Sequence, residues 1–136
     1  MTISPRQRDE LILRAKEARQ HAYAPYSNYA VGAALLTASG EIVLGVNVEN
    51  AAYPTGMCAE RSAVFAAVSK GQRSFQAIAV VTQDGGTPCG SCRQVLLEFG
   101  TDTDVYIANA KGEVILETTV EGLLPHAFGP SNISRE

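Results

Sequence analysis

Two stretches organise the chain: Cys58-Ala59-Glu60, and further on Pro88-Cys89-Gly90-Ser91-Cys92. Each stands just ahead of a run with helical composition. The first leads into Ala63, Phe65, Ala66, Ala67 and Val68 and stops at Gly71; the second leads into Val95, Leu96 and Leu97 and stops at Gly100. Between them Ala77-Ile78-Ala79-Val80-Val81 is a continuous apolar strand suited to burial on both faces.

Working outward, Ser4-Pro5 reads as an N-cap with proline at the first helical position. Leu11, Ala15, Ala18 and Ala22 then recur at helical spacing, which predicts a helix over 5–22. The segment from Tyr23 to Tyr29 is rich in aromatics and turn formers and reads as a surface or cleft-lining loop. Two strands follow, over 30–37 and 41–48, hinged at Ser39-Gly40 as a hairpin. Past the helix stopped by Gly100, strands over 104–108 and 113–118 flank Lys111-Gly112. Thr118-Thr119-Val120-Glu121 reads as a capping box for a last turn stopped by Pro125.

Helices alternating with strands predict an α/β fold. We expect three layers, α/β/α, around a mixed sheet of about five strands, with 1–136 forming a single domain.

Apolar residues make up 46% of the 136, enough for a real core, and charged residues 18%. The net charge is -3 and no window is rich in lysine and arginine, so a nucleic-acid partner is not expected. No apolar run approaches the ~20 residues of a membrane span, and the polar start from Met1 to Glu10 lacks the core of a secretory signal. A cytoplasmic protein with no membrane partner is the expectation. The odd count of three cysteines fits a compartment where thiols stay reduced.

Cys89 and Cys92 have the spacing that lets two sulfurs share one tetrahedral metal, though alone the pair reads equally as a redox dithiol. Cys58 decides between them. All three thiols lie at helix starts, where free amides and the dipole favour thiolates. With no fourth cysteine, and with His21 and His126 near the two ends of the chain, three ligands leave a zinc ion one open position for water. Glu60, two residues past Cys58, can reach such a water without binding the metal, and can carry its proton to a substrate nitrogen. Zinc deaminases carry the pattern His-x-Glu…Pro-Cys-x-x-Cys, with a three-cysteine variant. Cys58-x-Glu60 and Pro88-Cys89-x-x-Cys92 match it at every fixed position but the thiol in place of imidazole.

On these residues the chain resembles the small, homotetrameric, three-cysteine cytidine deaminases. The likeness runs from Ala24-Pro25-Tyr26-Ser27 through Val31-Gly32-Ala33-Ala34 and the stretch from Asn47 to Tyr53. It continues through the two cysteine segments to Leu123-Leu124-Pro125 and Phe128-Gly129-Pro130. The resemblance implies one Zn2+ per subunit held by Cys58, Cys89 and Cys92, and Glu60 as the catalytic proton carrier. It implies hydrolytic deamination of free cytidine and deoxycytidine to uridine and deoxyuridine, with ammonia released, in pyrimidine salvage. Asn47 and Glu49 would contact the sugar 3′-hydroxyl, and the amide of Ala59 the pyrimidine carbonyl oxygen. Phe128 would resemble the aromatic that reaches into a neighbouring subunit's site, placing the sites of a homotetramer near subunit interfaces. Tyr29 departs from the phenylalanine common at the pocket position; its hydroxyl contacts either the sugar or solvent.

Three thiolates leave the zinc centre with a net charge of about -1, which weakens it as a Lewis acid. Arg61 and Arg93 are the candidates to offset this by hydrogen bonding to sulfur, and the resemblance favours Arg61. A blasticidin-type aminonucleoside deaminase shares the cysteine segments and stays open as an alternative. So does a non-catalytic, zinc-stabilised binding module, which would have no use for Glu60. Tyr23 and Tyr26 are expected to pack under their loop.

Overall fold

In a computed structural model, residues 3–133 are described; the first two residues of the polar start and the last three of the unit expected over 1–136 lie outside them. Helix α1 spans Pro5–Ala18, with Ser4 as its N-cap and Pro5 at its first position. The cap is a full capping box: Ser4 Oγ accepts from the Gln7 amide, and Gln7 Oε1 from the Ser4 amide. The helix is shorter than its apolar spacing predicts. A 3-10 turn over Arg19–His21 tightens its end, and Ala22 is already extended.

Strand β1 (Gly32–Thr37) turns through Gly40, at φ 96°, into β2 (Ile42–Val46), as the predicted hairpin. The left-handed turn position is one that glycine takes without strain. Helix α2 (Ala59–Ser69) leads to β3 (Phe75–Val81), then α3 (Gly90–Glu98), β4 (Asp104–Ala108) and β5 (Val114–Thr119). A short α4 (Val120–Leu123) follows, capped by Thr119 Oγ1 accepting from Gly122, so the predicted capping box starts one residue too early. The single turn α5 (Pro130–Ile133) has no counterpart in the sequence reading.

The sheet is five-stranded in the order β2-β1-β3-β4-β5. Only β3 and β4 are parallel, joined by α3 as a crossover; the other pairs are antiparallel. The mixed sheet of about five strands is thus as predicted. Strand periodicity then divides the core. Leu35, Ile78, Val80, Val105 and Ile107 face α2 and α3, whereas Ala34, Leu36, Ala77, Ala79 and Val81 face α1. The alanines on the second face let α1 approach the strands closely. The three layers follow from these two apolar clusters. No helix among the described residues is long and apolar enough to cross a membrane.

Gly45 links this packing to the cysteines. It lies on β2 where a Cβ would strike the backbone of Ala59 and Ala63, at the N-terminal half of α2. Backbone cannot move aside as the tip of a side chain can, so only glycine lets the start of α2 sit flat on the sheet. Gly45→Ala is therefore expected to destabilise the fold by about 1–3 kcal/mol, the usual range for overpacking. Thermal or urea unfolding checks this, and an unchanged midpoint would contradict it.

Candidate metal centre and active-site cleft

Helices α2 and α3 begin close to one another, and the residues at their N-cap positions are Cys58 and Cys89. N-caps are commonly serine, threonine, asparagine or aspartate, whose oxygens bond the first-turn amides. Neither cysteine makes a side-chain cap bond, so both sulfurs and both sets of first-turn amides are left facing the space between the helices. Cys92, one turn into α3, is fully buried beside them.

The Cys58 and Cys89 sulfurs are 3.8 Å apart, those of Cys89 and Cys92 3.5 Å, and all three lie within 4.8 Å of one another as free thiols. A tetrahedral zinc with sulfur bonds of about 2.3 Å separates its sulfurs by about 3.8 Å. The donor set fits zinc in both chemistry and spacing. His21 and His126 are exposed and stand apart from this cluster.

The electrostatics favour at least one thiolate before any cation binds. The Cys58 thiol is pulled down to about 5, first by hydrogen bonding from Cys92, then by the Arg61 guanidinium. Cys92 is pushed up, first by hydrogen bonding with Cys58 and then by burial.

Arg61 Nη2 lies 3.4 Å from Cys58 Sγ, and this contact raises the guanidinium further above its ordinary range. Its Nε is buried with no partner among the described residues, leaving donor capacity beside an anionic cluster. Arg93 does something else. Its Nε donates to Pro88 O at 2.7 Å, Nη1 to Leu123 O at 2.8 Å and Nη2 to Thr87 Oγ1 at 2.9 Å. It is a clamp holding the segment before Cys89 against the end of α4. Of the two arginines, Arg61 is the one on sulfur.

Glu60, at the second position of α2, is 5% exposed, and burial holds its carboxyl above the usual carboxylate range. It opens with Cys58 and Cys89 into a cleft of about 240 Å³, whose far walls include Tyr29, Asn47, Glu49 and Thr82. Ala59, fully buried, is the first residue of α2, so its amide has no partner within the helix. A neighbouring cavity of about 310 Å³ shares Ser27 and Glu49 with this cleft but includes no cysteine and not Glu60.

Asn47 and Glu49 are placed at the cleft with their side chains already engaged. Asn47 Oδ1 accepts from the Val31 amide at 2.9 Å, and Nδ2 donates to Tyr29 O at 2.8 Å. Glu49 Oε1 accepts from the amides of Tyr26 and Ser27, each at 3.1 Å, and Oε2 from Ser27 Oγ, which lowers its pKa. Both residues therefore brace the loop over 23–31, and offer a ligand their remaining hydrogen-bonding capacity. Tyr29 Oη donates to Asp84 Oδ1 at 2.8 Å, a partner that neither sequence expectation for this hydroxyl included. Tyr23 and Tyr26 do not pack under their loop: they are 56% and 47% exposed, with Tyr26 edge-on to Tyr53 at 5.2 Å. Phe128 is 62% exposed and lines no part of its own chain's cleft; its carbonyl accepts from Gln94 Nε2.

Thr82, Gly86 and Thr87 also line the cleft and went unnoticed in the sequence. The available signal was position: they follow the carboxyl end of β3, where ligands of α/β sheets gather.

Residues 5–108 match the family model described as the cytidine and deoxycytidylate deaminase zinc-binding region. A cytidine deaminase of Sporosarcina psychrophila is 52% identical over 129 residues, covering 93% of this chain and 94% of that protein. The crystal structure of cytidine deaminase from Burkholderia pseudomallei superposes with a TM-score of 0.85 at 46% identity, over 93% of this chain and all of that one. That from Mycobacterium tuberculosis gives 0.75 at 41% identity, over 89% and 96%. With its sulfur cluster, its five-stranded mixed sheet and these matches, the chain belongs to the cytidine and deoxycytidylate deaminase zinc-binding family.

Proposed function

We propose that this protein deaminates free cytidine and deoxycytidine hydrolytically, giving uridine or deoxyuridine and ammonia. The observation that carries the reading is that the clustered sulfurs of Cys58, Cys89 and Cys92 stand beside a cleft into which Cys58, Cys89 and the buried carboxyl of Glu60 open. Cys58, Cys89 and Cys92 would hold one zinc ion through their sulfurs. When bound, the metal supplies Lewis acidity that makes a water acidic near neutral pH.

The chain's own groups do the rest. Glu60 takes a proton from the attacking water and delivers it to ring nitrogen 3, which makes carbon 4 electrophilic. It then takes the proton of the hydroxyl now on carbon 4 and passes it to the amino group; the carbonyl forms as the carbon–nitrogen bond breaks and ammonia leaves. A carboxyl whose pKa is raised by burial is suited to both directions of transfer, because its proton affinity lies nearer the working pH. The Ala59 amide, free at the helix start, donates to the pyrimidine carbonyl oxygen. Asn47 and Glu49 hold the sugar hydroxyl with the capacity left over from bracing the loop. Arg61 offsets the thiolate charge through Cys58.

Among the described residues no lysine or arginine lines the cleft, and Glu49 adds a carboxylate to it, so a free nucleoside is favoured over a nucleotide. We further read residues 1–136 as one catalytic domain of a cytoplasmic homotetramer acting in pyrimidine salvage. The exposed ring of Phe128 would cover a neighbour's site there, an aromatic otherwise left in water.

Incubation with cytidine, deoxycytidine, their monophosphates and blasticidin S, followed by ammonia release, separates these substrates. Turnover of the two nucleosides is expected. Turnover of blasticidin S alone, or of nothing with zinc fully loaded, contradicts the reading. Glu60→Gln should keep its zinc and lose about 10²–10⁴ in kcat, the usual share of general acid–base catalysis. A binding module would show no such loss. Arg61→Ala should retain zinc and lower turnover about 10–100-fold, as outer partners of metal ligands do; an unchanged rate and pH profile would rule out its role.

A further inference from the structure

The loop over 22–31 and the loop over 82–89 face one another across the cleft. Two side-chain ties join them. One is the bond from Tyr29 Oη to Asp84 Oδ1 at 2.8 Å. The other is Arg19, whose Nε donates to Ala30 O at 2.9 Å and Nη2 to Gln83 Oε1 at 3.1 Å. Tyr29 lines the cleft, whereas Asp84 stands behind it.

Asp84 is held in place by its own loop. Thr82 Oγ1 lies 3.4 Å from Asp84 Oδ1, and the same hydroxyl oxygen accepts from the amides of Gly85 and Gly86, each at 2.8 Å. The turn therefore fixes where the carboxylate points. Gly86 completes the seat: a Cβ there would strike the Tyr29 hydroxyl, so the end of the ring rests against bare backbone. Behind the ring, Asn47 pins the Tyr29 carbonyl and the Val31 amide. The bond also preserves itself, since it lowers the pKa of Asp84, while burial raises that of the Tyr29 phenol.

We propose that the Tyr29–Asp84 hydrogen bond is a strap between the two loops that wall the cleft, with Asp84 a positioning residue that acts through Tyr29. The strap fixes the aromatic wall of the nucleoside site, and with it the affinity for the nucleoside more than the rate of the chemical step. Phenylalanine at position 29 would supply the same ring without the strap, leaving Arg19 as the side-chain hydrogen-bond tie between the two loops among the described residues. The substrate side of this inference rests on the deaminase reading; the strap itself does not.

The test uses Tyr29→Phe, Asp84→Ala, their combination, and Asp84→Asn, which keeps an acceptor. Removing one partly exposed hydrogen bond should raise KM for cytidine about threefold to tenfold in each of the first two variants, with the larger share in KM than in kcat. The double variant should be no worse than the worse single one, and Asp84→Asn should recover most of the loss. An unchanged KM, or fully additive losses, overturns the proposal. Amide hydrogen exchange at Gly85 and Gly86 provides a readout free of turnover. It should quicken in Tyr29→Phe while α1 stays protected, and unchanged exchange overturns the strap. If the wild-type protein does not turn over cytidine, the deaminase reading fails, and exchange alone decides the strap.

Discussion

The structure turns on two helix N-termini that meet with cysteine, not serine or aspartate, at the cap. A serine at position 58 or 89 could have turned its oxygen back onto the first-turn amides and closed each helix on itself. The cysteines leave those amides open and direct sulfur into the shared space. Both helix dipoles then add to the same corner and favour anions there. Close approach of the helices requires a sheet that lets α2 lie flat, which is the role of Gly45. It also requires a crossover that brings α3 back to the carboxyl end of β3, which the parallel β3–β4 pair supplies.

Around that corner, charged groups fall into separate tasks. Arg61 touches the Cys58 sulfur, while Arg93 bonds two backbone carbonyls and a threonine. Asn47 and Glu49 tie down the loop that carries Tyr26, Ser27 and Tyr29. The walls of the cleft are thus held by side chains that also face into it. Such a site is preorganised: the geometry a ligand meets is set before it arrives, and less ordering is left for binding to drive.

Much of this was legible in the chain, and the reasons are local. The apolar run Ala77 to Val81, the stop at Gly100 and the Ser4-Pro5 cap are signals contained within a few residues, and the elements they imply are observed. Cys58, Cys89 and Cys92 could be assigned to one cluster because the motif spacing encodes a ligand set. The failures are short or non-local. Thr118 and Thr119 offer equal caps, and only the register of β5 against β4 selects Thr119. The end of α1 tightens into a 3-10 turn that apolar spacing does not reveal. Four-residue α5 is below the length at which periodicity exists. Tyr29 and Asp84 are 55 residues apart, and nothing in either segment names the other.

The central claim is that Cys58, Cys89 and Cys92 together bind one zinc ion and leave one position open. X-ray absorption at the zinc edge on the purified protein tests it most directly. The account predicts one zinc per chain, with three sulfurs at about 2.3 Å and a single oxygen or nitrogen at about 2.0 Å. A shell of four sulfurs, or of two or fewer, or a protein that takes up no zinc, would contradict it.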